Sequence, residues 1–268
     1  MSDSTLSRSA ASAATSLPKA SLGASLALVI GFWWAATGLT LAMQRSSLTS
    51  VASVAIASVF ALVGAVLIVK TRTDTTVRSA RLAFLGSALV WWWCSTLFYA
   101  GIGINIADSA AVVPPPRTFA FALQAIAATL RPDLVGVFAL VLIGILVWRR
   151  PNRFALGALF TFWGTLQTAK LNVFMGVRNS GVDWLPEHLV KLSQFFGPPQ
   201  NSLLLPVTIA GLGICFASMA RSSSAADQPF AKHGYAMIAF LLALAVLEHI
   251  MLGVNLSLPL WDIFRPQN

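Results

Sequence analysis

The chain has 268 residues, 57% of them apolar and only 10% charged, with a mean hydropathy of +0.76. A soluble domain carries about 25% charged residues, so this composition excludes a water-soluble enzyme or binding module. The net charge of +9 does not point to nucleic acid, because the Lys and Arg lie in short pieces between apolar runs and form no contiguous groove of phosphate contacts.

Continuous apolar runs of about twenty residues match the roughly 30 Å of hydrocarbon that a helix must cross, and they lack the alternation of a barrel strand. The fold expected is all-α: a polytopic membrane bundle of about seven transmembrane helices over residues 21–260. A flexible cytoplasmic tail (1–20) precedes it and a short periplasmic tail (261–268) follows. Residues 1–20 are too rich in Ser and Ala for a core. The first span, 22–43, is too long for a signal-peptide core and has no small-residue cleavage site after it, so it stays as a helix.

The second span covers about 48–69 and ends in a strip with Lys70, Arg72, Asp74, Arg78 and Arg81. The third, about 80–104, contains Trp91, Trp92 and Trp93, and Gly101-Ile-Gly103 reads as its end. The triplet Pro114, Pro115, Pro116 then interrupts helix. Residues 118–148 are apolar apart from Arg131, Pro132 and Asp133. An interfacial or re-entrant piece followed by a span is favoured there, and one long kinked helix competes. The fifth, sixth and seventh spans fall at about 154–176, 203–220 and 234–258, with a polar loop over 177–202.

Taking alternate segments, eleven Lys and Arg fall on the side of the N-terminus and six on the other. Basic residues are retained in the cytoplasm during insertion, so the N-terminus is expected inside and the C-terminus in the periplasm of a bacterial inner membrane. On that map Cys94 and Cys215 differ in depth by roughly 13 Å, too far for a disulfide. Lys170 and Glu248 lie within roughly 5 Å in depth. Charge in hydrocarbon needs a partner, so these two are expected to pair between the fifth and seventh spans, holding them in register or serving a proton relay or ligand anchor.

His249 follows Glu248, and Glu187 with His188 begins a short helix after Pro186. If the loop folds back over the seventh span, these two His and two carboxylates form a ligand set that a metal would accept, though without HExxH spacing. His233 reads as a boundary residue without a chemical role. Trp33, Trp34, Trp91, Trp92, Trp93 and Trp163 fall near mid-span, where rings either pack helices or stack on a flat apolar ligand such as a tetrapyrrole, quinone or carotenoid. No Walker loop, GxGxxG or Ser-His-Asp arrangement is present.

The stretch AKLNVFMGVRN (169–179) with LPEHLVKL (185–192), and the blocks LALAVLEHIML (242–252) and LPLWDIF (258–264), resemble the photosynthetic complex assembly family called PuhE-like, from purple phototrophic bacteria. Trp33, Trp34, Thr37 and Gly38 agree with it as well. The resemblance implies a membrane factor for assembly of the reaction centre and light-harvesting core, or for its bacteriochlorophyll supply. Reaction-centre or light-harvesting subunits and other assembly factors are its implied partners, with membrane lipid around it. Bacteriochlorophyll or another tetrapyrrole is the implied ligand, and Lys170, Asn172, Arg178, Asn179, Glu187, His188, Glu248 and His249 are the implied functional residues. The family's third and fourth spans carry His-Glu pairs where this chain has Cys94-Ser95 and Pro132-Asp133, which marks it as divergent. The alternative is a membrane enzyme acting on a tetrapyrrole or isoprenoid through Glu187, His188, Lys170, Glu248 and His249.

Overall fold

A computed structural model describes residues 21–45, 50–104 and 115–254. The tails 1–20 and 261–268, Pro114 and the block 258–264 lie outside the described residues. Within them are seven long α-helices and no strand: α1 Leu22–Arg45, α2 Ser50–Thr71, α3 Val77–Tyr99, α4 Phe119–Leu146, α5 Phe154–Met175, α6 Leu204–Ala225 and α7 Pro229–Gly253. Helix is what these sequences must form in lipid, where each backbone N–H and C=O has to find its partner inside the segment.

Six of the seven are long and apolar enough to cross a membrane by length and composition. The remaining one, α5, is as long as α2, but Thr161, Thr165, Gln167, Thr168, Lys170 and Asn172 lower its hydropathy. Hydrogen bonds between helix ends show that it runs from one end of the bundle to the other, as the other six do. At one end of the bundle Arg72, after α2, donates to Leu146 O of α4, and Asn152, before α5, donates to Thr71 O and Ser79 O. There too Ser25 of α1 binds Arg81 of α3 and His233 of α7, and Ser223 of α6 binds Lys232 O. At the other end His188 meets Tyr99 O of α3, Arg117 donates to Met175 O of α5, and Asn201 donates to Gly253 O of α7. Successive helices therefore alternate in direction through all seven.

α3 lies at the centre, packed against α1, α2, α4, α5 and α7, whereas α6 leans mainly on α7. One core unites α1, α3, α5 and α7 through Val29, Phe84, Ala88, Ala158, Phe162 and Met237. A second joins α2, α3, α4 and α5 around Ile68, Val90, Ile143 and Leu159. α2 and α3 approach at glycine: a Cβ built on Gly64 would stand 2.4 Å from Gly86 O, and one on Gly86 2.6 Å from Gly64 O. Small residues allow such approaches, which give membrane helices the dispersion contacts that hold them together.

Boundaries shift from the sequence reading where local chemistry dictates. α3 starts at Val77 because Thr76 and Ser79 cap each other reciprocally, and it stops before Gly101 and Gly103, whose φ values of 74° and 80° suit glycine. α7 starts at Pro229, a residue whose fixed φ suits a first helical position. Residues 119–146 form one helix with Pro132 inside it, which overturns the favoured interfacial piece. Pro132 forgoes its bond to Ala128 O, and the helix continues because its flanks are packed. The first turns of α4 bury Phe121, Ala125 and Ala128 against Phe174 and against Leu189, Leu192 and Phe195 of the 3₁₀ segment Glu187–Phe195. At 28 residues α4 is about 42 Å long, so its start rises past the hydrocarbon into that loop.

Candidate functional site

Four helices running in the same direction, α1, α3, α5 and α7, enclose a cavity of about 200 Å³. Each contributes a helical stripe: Trp33, Ala36, Thr37 and Thr40; Trp91, Trp92, Ser95 and Tyr99; Phe162, Thr165, Leu166 and Ala169; Leu241, Leu244, Ala245 and Glu248. Three of the four keep the i, i+3, i+4, i+7 spacing of one helix face. Small residues on these stripes leave the space, and the large rings bound it. Its base rests on the α1/α3/α5/α7 core, where Trp91 stacks on Phe162 at 5.9 Å and Phe32 meets Phe162 edge-on at 6.1 Å.

Toward the opposite end stand Tyr99 and Glu248. The Glu248 side chain is exposed to the cavity, and its Oε1 accepts a 2.6 Å hydrogen bond from Trp33 Nε1. Thr37 donates to Trp33 O, Thr40 to Ala36 O and Thr165 to Phe162 O, while Trp92 Nε1 donates to the Thr40 hydroxyl. Those hydroxyls spend their protons on their own helices and keep lone pairs for the space between them.

The expected pairing of Lys170 with Glu248 is not what forms. Lys170 binds Asp133 of α4, and Asp133 also receives Gln167 Nε2 at 3.1 Å and Thr129 Oγ1 at 3.2 Å. These side chains are 12% and 16% exposed, an intramembrane ion pair with its lone pairs largely used. A separate interfacial piece over 118–131 puts Asp133 at a membrane boundary, away from Lys170. With α4 continuous and displaced toward the loop, Asp133 reaches the level of Lys170.

His249 is fully buried on another face of α7, with Nδ1 against Ala245 O at 2.8 Å and Nε2 against Thr168 Oγ1 at 3.0 Å. Asn172, also 0% exposed, donates to Thr168 O and to Thr208 Oγ1 of α6. Asn179 closes the end of α7, its backbone N–H donating to Leu252 O and its side chain to Met251 O, and Arg178 N donates to Asn201 Oδ1. Glu187 and His188 are exposed at the start of the 3₁₀ segment, where His188 Nε2 lies 2.9 Å from Tyr99 O. The four residues of the suggested ligand set are not brought together. Among the described residues no group of three or more His, Cys, Asp or Glu could hold a metal ion.

Of the six mid-span tryptophans, Trp33, Trp91 and Trp92 line the cavity. Trp93 donates to Ser58 of α2 instead, Trp163 lies over Gly136 of α4, and Trp34 is exposed on the outer face of α1. Four contributors were missed. Asp133 was taken only as an interruption, although an acid next to proline in mid-helix was itself a signal. Ser25 and Arg81 join α1, α3 and α7 without a sequence signal, and His233, a boundary residue without a chemical role on the sequence reading, is buried and bonded to Ser25 at 2.7 Å.

The family described as "Protein of unknown function (DUF3623)" matches residues 20–267. An "Uncharacterized 30.4 kDa protein in puhA 5'region" of Rhodobacter capsulatus is 29% identical over 242 residues, which is 87% of each chain. No solved structure matches.

Proposed function

The chain belongs to the DUF3623 family, and from that membership we propose that it is an inner-membrane factor for assembly of the photosynthetic reaction centre and light-harvesting core, or for its bacteriochlorophyll supply. The observation that carries this reading is the gene position in the relative's name, the 5′ region of puhA, within a photosynthesis gene region. The resemblance of residues 169–192 and 242–252 to the PuhE-like assembly family points the same way. The structure is compatible with such a role in one specific respect: its polar side chains stitch helices and loop together.

A scaffold that acts on other membrane proteins needs a fixed outline. The Lys170–Asp133 pair, the Asn172–Thr208 bond and the cap on α7 by Asn179 and Asn201 supply rigidity to the α4–α7 half. The residues of the enzymatic alternative, Lys170, Glu187, His188, Glu248 and His249, face separate surroundings. We infer a cytoplasmic N-terminus from the excess of Lys and Arg on its side.

The test is deletion of the relative's gene in Rhodobacter capsulatus, followed by complementation with this chain. Near-infrared absorbance of membranes reports reaction-centre and light-harvesting complexes, and solvent extracts report bacteriochlorophyll. A shift in either on deletion, reversed by this chain, supports the reading. Wild-type levels of both in the deletion strain would overturn it.

A further inference from the structure

We propose that the cavity between α1, α3, α5 and α7 is a binding site for a substituted ammonium group, the headgroup of a lipid or a free small amine, held by Glu248 within an aromatic cage.

The first support is charge. Among the described residues Lys170–Asp133, on the α4 side of α5, is the ion pair, and no described Lys, Arg or His side chain forms one with Glu248. Its carboxylate is met by the Trp33 N–H, and no Lys, Arg or His lines the cavity. A carboxylate within a membrane span is costly unless something compensates its charge.

The second support is the character of the other groups around the space, the hydroxyls of Ser95 and Tyr99 apart. Phe32, Trp33, Trp91, Trp92, Tyr99 and Phe162 line the space with rings, of which Trp91 and Phe162 stack on each other, and a ring face left open attracts cations. The Thr37, Thr40 and Thr165 hydroxyls donate into their own helices and offer oxygen lone pairs outward. Two strong donors that would have favoured an anion or a carbonyl are already engaged, Trp33 Nε1 by Glu248 and Trp92 Nε1 by Thr40. Carboxylate, lone pairs and π faces all select positive charge, and the apolar walls favour a cation with alkyl substituents over a hydrated metal ion.

Size is the third. An apolar cavity of about 150 Å³ accepts benzene. A space of about 200 Å³ therefore takes a trimethylammonium-sized group and a short stem. A whole tetrapyrrole macrocycle, with more than about twenty ring atoms, is several times too large to be enclosed. The assignment is independent of the role in photosynthesis and stands or falls on binding.

The experiment uses the full-length protein purified in a maltoside detergent, with lipid content measured by extraction and mass spectrometry before titration. Choline is titrated by calorimetry beside 3,3-dimethylbutanol, its uncharged isostere, and sodium chloride. Choline is expected to bind about tenfold or more tightly than the isostere, and Glu248→Gln is expected to remove that advantage. Ser95→Leu, which fills the space without touching the carboxylate, should weaken choline as well. If the wild type instead retains a choline- or ethanolamine-headed phospholipid that Glu248→Gln loses, the source is lipid; choline binding without such lipid makes it a free amine. Equal binding of choline and the isostere, equal heat from sodium chloride, or neither choline binding nor retained ammonium lipid overturns the proposal. Should Glu248→Gln fail to fold, the isostere comparison on the wild-type protein still decides.

Discussion

Lys170 on α5 is neutralised by Asp133 on α4, one residue past the proline that interrupts that helix. Gln167 and Thr129 complete the shell of the carboxylate, so the pair ties α4 to α5 at the level where Pro132 has removed a backbone bond. Its geometry predicts a mutational cycle. Lys170→Met alone and Asp133→Leu alone each strand a charge, at about 3 to 5 kcal/mol, whereas the double replacement leaves apolar groups in place of both. Fluorescence-detected size exclusion of detergent extracts should show loss of monodisperse protein for each single variant and substantial recovery for the double. Glu248→Leu combined with Lys170→Met should give no such recovery. Losses that simply add would show that Lys170 and Asp133 are not coupled.

The close approach of α2 and α3 predicts a second effect. A methyl at Gly64 or Gly86 meets backbone carbonyl oxygen, which cannot step aside as a flexible side chain can. Gly64→Ala and Gly86→Ala should each destabilise by about 1 to 3 kcal/mol, read as a fall in the thermal transition in detergent. Gly211→Ala on α6, where nothing lies within 4 Å of the added atom, is the control and should leave the transition unchanged. Equal tolerance at all three positions would mean that α2 and α3 stand further apart.

Much of this architecture was legible from apolar run length, because lipid enforces helix and sets its length. Particular residues mark where that ended. Pro132 was read as a break, although packing of Phe121 and Ala125 on the 3₁₀ segment carries the helix through it. A break at Pro132 also takes Asp133 out of the membrane, which leaves Glu248 as the acid at the depth of Lys170. Lining residues were half legible: Trp33, Trp91, Trp92 and Glu248 were singled out, but the small and hydroxyl residues that create the space carry no signal of their own. Thr37 carries one only through the resemblance, and only the coincidence of four stripes in space brings Ser95, Thr165 and Ala245 to the same cavity.

Ser25 offers a third prediction. Its hydroxyl accepts from Arg81 Nε at 2.8 Å and lies 2.7 Å from His233 Nδ1, so one side chain joins α1, α3 and α7 at the end of the bundle. Arg81 donates to the Ser25 oxygen, and Ser25 and His233 Nδ1 share one hydrogen whose side is set by the imidazole tautomer. Ser25→Ala removes both bonds and leaves a buried ring nitrogen unsatisfied, at roughly 1 to 3 kcal/mol. A lowered thermal transition is expected, with little further loss when His233→Ala is added. Fully additive losses would show that Ser25 and His233 act separately.

The last prediction concerns the crossing of α5 and the direction of the whole bundle. α5 is the one long helix outside the apolar criterion, and without it the map of every following loop would invert. The bonds at its two ends argue that it spans. Asn152, just before it, holds Thr71 O and Ser79 O beside the basic strip, whereas Met175 O and the Gly176 that follows it are held by Arg117 and the loop that also receives His188 and Asn201. Most of its polar side chains find partners within the bundle, with Lys170 and Gln167 on Asp133, Thr168 on His249 and the Asn172 amide on Thr208, whereas Asn172 Oδ1 and Trp163 Nε1 are buried without one. The paired groups lower the hydropathy without requiring water. Basic residues stay in the cytoplasm on insertion, so the strip from Lys70 to Arg81 and the cluster Arg149, Arg150 and Arg153 are expected there. Phosphatase and fluorescent-protein reporters fused after Arg150 and after Asp183 should report cytoplasm and periplasm respectively. Both reporters on one side would mean that α5 does not cross, and opposite sides in the reverse order would leave the seven helices intact but turn the cavity's Glu248 end to the cytoplasm.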